Sequence, residues 1–66
     1  MNIGGEIKRL RHARGYTQEE LARRCGTYAS YIYRVENGII IPCFDSLQRL
    51  LAGLDAKVEI VDGKEI

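Results

Sequence analysis

The chain contains no tryptophan, a single proline, a single histidine and two cysteines. Each scarcity excludes something. Cys25 and Cys43 form no C-x-x-C pair, and with His12 alone they cannot build a tetrahedral zinc site, so no metal or other cofactor is expected. The two thiols are expected as small buried apolar groups in a reducing compartment rather than as a disulfide. There is no run of about 18 apolar residues for a membrane span. No signal peptide is evident either, and the expected location is the cytoplasm. His12 falls among basic residues and reads as solvated. Glu19 and Glu20 read as helix-start residues rather than a catalytic carboxylate pair. No nucleophile, base and oxyanion site assembles, so the chain does not read as an enzyme.

What is present fits one small domain of 66 residues. A chain of that size buries only about 60% of its unfolded surface, so a partner subunit would help it. The net charge of +1 says little, but its distribution says more. Residues 1–38 hold seven lysines and arginines against four glutamates, whereas residues 39–66 hold three against five acidic groups. Scatter on a small protein could produce this. A basic half would also suit phosphates.

The organising stretch is Thr17 to Gly38. Thr17 with Glu20 makes a capping box, and Leu21 and Ala22 give an apolar face with Arg23 and Arg24 outside it. Gly26 suits a left-handed position past the helix end. Ile32 and Val35 return on one face of a second helix, which Asn37-Gly38 stops. Two short helices around a tight glycine turn are the helix-turn-helix signature. Before them, Ile3 to Arg14 predicts a helix capped by Asn2, with Glu6 in its first turn and Ile3, Ile7 and Leu10 facing inward. Lys8, Arg9, Arg11, His12 and Arg14 make its other surface basic. Gly4 and Gly5 weaken its start by about 1 kcal/mol each relative to alanine. Gly15 ends it, and Tyr16 is placed to staple the next helix.

After Gly38 come Ile39, Ile40 and Ile41, which cannot all face inward; an exposed one suggests a protein partner. Pro42 holds Ile41 extended. Asp45 or Ser46 is expected to cap a further helix with Leu47, Leu50, Leu51 and Leu54 inward, ended or distorted by Gly53. Ala56 to Val61 alternates, with Ala56, Val58 and Ile60 on one side and Lys57 and Glu59 on the other, which predicts a strand. Asp62-Gly63 is a turn signal before a short tail. The expected fold is an all-α helix-turn-helix domain of four helices with a C-terminal β-strand. Residues 1–54 would be the helix-turn-helix domain and residues 55–66 a C-terminal strand and tail, the dimerisation element. Leu21, Ile32, Val35, Leu47 and Leu50 should share one core. The strand has no partner within the chain, so antiparallel pairing with its own copy is the simplest closure.

The run LRHARGYTQEELARRCG, then SYIYRVENG, then Pro42 and LQRLLAGL resembles the Cro/C1-type (Xre-like) helix-turn-helix regulators over residues 3–54. The resemblance implies that a third helix, about Ala29 to Asn37, lies in the major groove of duplex DNA. Tyr28, Ala29, Ser30, Tyr33 and Arg34 fall at the reading positions. Ser30 and Arg34 share one helix face, and arginine to guanine is the commonest specific base contact. Tyr31 either joins this set or leans on the second helix. Gln18 matches the residue that holds a phosphate, with Thr17 and Asn37 also at the DNA, and Arg11 with Glu36 matches a structural ion pair. Ile39 to Ile41 stand where relatives usually carry Lys or Arg. A C-terminal strand in place of a fifth helix is similar to the Hip-type antitoxins. The implied function is a sequence-specific regulator of transcription, a repressor, acting as a homodimer. The alternative is an antitoxin that binds a partner toxin and autoregulates its operon.

Overall fold

A computed structural model, which describes residues 2–56, shows four helices: α1 (Ile3–Arg14), α2 (Gln18–Cys25), α3 (Ala29–Glu36) and α4 (Phe44–Gly53). The local signals act where they stand. Asn2 Oδ1 accepts from the Gly5 amide at 2.9 Å and starts α1. At α2 the capping box is reciprocal: Glu20 N–H donates to Thr17 Oγ1 at 3.0 Å, and Thr17 N–H donates to Glu20 Oε1 at 2.9 Å. These bonds from Thr17 hold the Glu20 carboxyl below the usual glutamate range. Gly26 ends α2 with φ of 71°, a left-handed backbone that side chains disfavour.

Two expectations about α4 change. The helix begins at Phe44, with Cys43 as its N-cap and no side-chain cap bond, so Asp45 and Ser46 lie inside the first turn. Pro42 delivers Cys43 in an extended backbone, and the Leu47 amide donates to Cys43 O at 2.8 Å, closing the first turn there. Asp45 still favours this end through the helix dipole. Leu47 is half-buried rather than buried. The face α4 turns inward runs through Leu50, Gly53 and Leu54, and Leu47 and Leu51 share its margin.

The core comprises Ile7, Leu21, Ala22, Cys25, Ile32, Val35, Leu50 and Leu54. Ile3, Leu10, Tyr16, Tyr31 and Leu51 pack around it. Cys25 is buried as expected, whereas Cys43 is exposed, because an N-cap at the end of a surface loop has nothing above it. Gly4 is buried where α1 crosses α3: a β-carbon there would overlap the Val35 carbonyl and lie 3.0 Å from that of Glu36. A glycine that weakens α1 locally is what lets α1 and α3 touch.

The C-terminus of α4 has no basic residue of its own, and arginines from two other helices supply the charge. Arg14 Nε donates to Leu54 O at 2.8 Å, and Arg24 Nε donates to Gly53 O at 2.7 Å. Arg24 also reaches Asp55 at 3.2 Å, and its guanidinium lies 4.6 Å above the centre of the Tyr16 ring. These contacts satisfy carbonyls that a helix end leaves unpaired and match its negative dipole end.

Among the described residues there is no strand. Ala56, the first residue of the expected strand, instead donates its amide to Leu51 O at 2.8 Å and closes the end of α4. Lys57 to Val61, including Val58 and Ile60, lie outside the described residues.

Candidate nucleic-acid interface

The α2–α3 unit presents α3 with one face inward and one outward. Ile32, Val35 and Glu36 are buried. Ser30, Tyr33, Arg34 and Asn37 are exposed on the other face, and Tyr28 stands out at the N-cap with 78% of its surface free. Ala29 is half-buried. Ile32 and Val35 anchor the inward side, and the 3.6-residue period then forces Ser30 and Arg34 outward together. Tyr28 makes no side-chain cap bond, so its ring and hydroxyl are not spent on the helix start. Asn37 donates its side-chain amide to Tyr33 O at 2.8 Å and closes the far end. Tyr31 is half-buried and packs against the core edge.

Behind this face sits a buried ion pair. Arg11 Nε donates to Glu36 Oε2 at 2.6 Å and Arg11 NH2 to Glu36 Oε1 at 3.0 Å, with each residue 9% exposed. The remaining guanidinium nitrogen donates to Tyr16 O at 2.8 Å. The two-pronged geometry matters because Glu36 lies in the last turn of α3, where the dipole disfavours a negative charge. The pair holds α1, the α1–α2 linker and the end of α3 in one arrangement.

Gln18 belongs to the same network. Its side chain donates to Glu36 Oε1 at 3.1 Å, and Thr17 spends its hydroxyl on the capping box. What α2 turns outward at its start is therefore backbone: its first-turn amides beyond the capping box have no helical acceptor, as at any helix N-terminus.

The basic half of the sequence is narrower in space than in composition. Arg9 pairs with Glu6, Arg11 with Glu36, and Arg14 and Arg24 hold the end of α4. Among the described residues of the first two helices and α3, that leaves Lys8, Arg23 and Arg34 exposed with neither an ion pair nor a helix-end carbonyl to hold. Arg23 lines the groove between α2 and α3 with Glu19, Thr27, Tyr28 and Ala29, beside the outward face of α3. By sequence Arg23 and Arg24 are equivalent, both outside the apolar face of α2. Successive helix positions point about 100° apart, so only one of two adjacent arginines can turn toward α4. Nothing local says which.

A tight helix–turn–helix with its second helix anchored by a buried apolar line and polar on its free face defines a DNA-binding class of protein. A family model described as a helix-turn-helix domain matches residues 2–62, and the chain belongs to that family. This agrees with the Cro/C1-type resemblance of its sequence. Comparison with curated proteins and with solved structures finds no match. No helix among the described residues is long and apolar enough to cross a membrane.

Proposed function

We propose that this chain is a cytoplasmic, sequence-specific regulator of transcription, a repressor, that reads the major groove of duplex DNA as a homodimer. The observation that carries the reading is the outward face of α3. It gathers Tyr28, Ser30, Tyr33, Arg34 and Asn37 on one side of a helix whose other side is buried. Arg34 is the base reader, offering a guanidinium fork to guanine O6 and N7. Ser30, one turn before it, accepts or donates at the neighbouring base, and Ala29 offers a methyl to thymine. Tyr28 and Tyr33 place hydroxyls at flanking phosphates, and Arg23 adds a charge at the edge of the groove. At the start of α2, beside the Thr17 capping box, Gln18 and Glu19 offer free backbone amides to a phosphate, while the Gln18 side chain fixes that end to Glu36. Dimerisation falls to the segment from Ala56 through Val58 and Ile60. Two copies then meet half-sites about 34 Å apart, and occupancy of a promoter blocks its use.

The test is selection from a randomised duplex pool at physiological salt. A two-fold-symmetric motif with half-sites about one helical turn apart is the expected product. A pool that emerges unenriched, with binding that ignores sequence, would defeat the reading.

A second reading is supported by the apolar surface beyond α3. Ile39, Ile41 and Phe44 are 64%, 81% and 53% exposed. An apolar patch of this kind suits a protein partner. In this reading the domain is the antitoxin of a toxin–antitoxin pair and binds its own operator as autoregulation. A stable complex with a growth-arresting partner, lost on Ile41→Asp while DNA binding persists, would favour it.

A further inference from the structure

A second cleft opens between the α2–α3 turn and α4, lined by Cys25, Thr27, Tyr31, Ser46, Arg49 and Leu50. Its floor is apolar, because Cys25 and Leu50 are 5% and 1% exposed. Around that floor stand three hydroxyl side chains and one guanidinium, and among the described residues no carboxylate lines it. Cys43 Sγ donates to Ser46 Oγ at 3.4 Å, which engages a lone pair of that oxygen and leaves the serine proton free to be donated. Arg9, Arg11 and Arg24 each hold a carboxylate, whereas Arg49 makes no ion pair among the described residues. Asp45 precedes it by one helical turn but is not paired with it. The Arg49 charge bears on the floor itself: burial pushes the Cys25 thiol up, and the Arg24 and Arg49 charges oppose that shift.

Donors from three separate segments, one of them permanently charged, surround a pocket to which the described residues supply no acceptor carboxylate. That is the chemistry of a site for a group with several acceptor oxygens and negative charge. We propose that this cleft binds a phosphate-type oxyanion, gripped by Arg49 and by the hydroxyls of Thr27, Tyr31 and Ser46. The site is separate from the reading face: Tyr31 is half-buried and lies off the Ser30–Arg34 line of α3. The occupant is either a phosphate of the bound duplex or a free phosphate group. In the first case the site adds a backbone clamp from α4. In the second it gives the domain a small-molecule input.

The test titrates the full chain, uniformly labelled with nitrogen-15, with inorganic phosphate against chloride at matched ionic strength. Saturable shifts at Thr27, Tyr31, Ser46 and the Arg49 side chain, absent with chloride, are expected. In Arg49→Gln the apparent affinity should fall by about tenfold or more, as expected for loss of a charge-assisted hydrogen bond. Arg49 is exposed, so unchanged core amides should confirm that the variant folds. Shifts that follow chloride equally, or a titration unchanged in Arg49→Gln, would overturn the site. A second arm identifies the source and rests on the proposed DNA binding. If duplex phosphate fills the cleft, Arg49→Gln lowers the slope of log affinity against log salt by about 1, and bound DNA blocks the phosphate titration. If the occupant is a free phosphate, that slope is unchanged and the titration persists on the DNA complex. A chain that binds no DNA at all would defeat the proposed function and leave the phosphate result standing.

Discussion

Arg11 holds both carboxylate oxygens of Glu36, at 2.6 and 3.0 Å, inside a domain of only 66 residues. Removing one member leaves the other buried without its partner. Arg11→Ala and Glu36→Ala should each cost about 3–5 kcal/mol, a large share of the stability of so small a domain. The double substitution to Met and Leu should be far milder than the sum. Urea unfolding of the four proteins checks this. Additive losses would mean the pair is two independent surface charges.

Gly4 predicts a result opposite to helix propensity. In an exposed helix, glycine to alanine gains about 1 kcal/mol. Here the new methyl meets the Val35 carbonyl, so α1 must move off α3. Gly4→Ala should therefore destabilise by about 1–3 kcal/mol, as overpacking does. A rise in melting temperature would show that the two helices have room to spare.

At the capping box, the stability effect has a definite sign with pH. The folded Glu20 carboxyl titrates below its unfolded value, because Thr17 hydrogen-bonds its ionised form. Its contribution is full above the ordinary glutamate range and is lost as pH falls through the lowered folded value. Glu20→Gln should flatten that part of the acid limb, and Thr17→Ala should cost about 1 kcal/mol at neutral pH. Melting temperatures from pH 7 down to pH 3 read both effects.

On DNA, Arg34 and Arg23 should separate. Arg34→Ala should cost about 1–3 kcal/mol on the cognate site and relax one base pair per half-site. Arg23→Ala should weaken all sequences alike and lower the salt slope by about 1. For the dimer as a whole, on the order of 6 phosphate contacts would lose about a thousandfold in affinity between about 50 and about 200 mM salt. Fluorescence anisotropy on cognate and scrambled duplexes distinguishes these outcomes. An Arg34→Ala loss equal on both duplexes would remove its role as a base reader.

The dimer prediction concerns the chain beyond α4. Truncation after Ala56 keeps the Ala56 amide on Leu51 O, and with it the end of the helix. The truncated protein should sediment as a helical monomer with weak operator affinity. A surviving dimer would move the interface to Ile39, Ile41 and Phe44.

How much of this was legible in the sequence depended on range. The capping box at Thr17 and Glu20, the left-handed Gly26 and the inward pair Ile32 and Val35 are set by neighbours within one turn, and they read directly. The start of α4 did not, because side-chain caps at Asp45 and Ser46 looked better than the bare Cys43 after Pro42. The inward face of α4 was off by its margin, since four leucines at helical spacing do not say which of them the partner helix covers. The roles of Gly4, Arg14 and Arg24 were illegible for a stronger reason. Each is defined by a backbone atom far along the chain, at Val35, Leu54 and Gly53. The basic face was overcounted because those two arginines, though exposed, spend their Nε donors on carbonyls at the end of α4.

The two thiols have a kinetic consequence. Cys43 is open to solvent, and once its proton is gone the Ser46 hydroxyl and amide donate to the thiolate and lower its titration range, so it should react with a thiol reagent at once. Cys25 is enclosed against Gly53, where even a methyl group would lie 2.5 Å from its sulfur, and burial pushes its thiol up. It can be labelled only when α2 and α4 part. The ratio of the two labelling rates is thus a clock for opening of the core, carried in the native sequence and readable by mass spectrometry without any added probe.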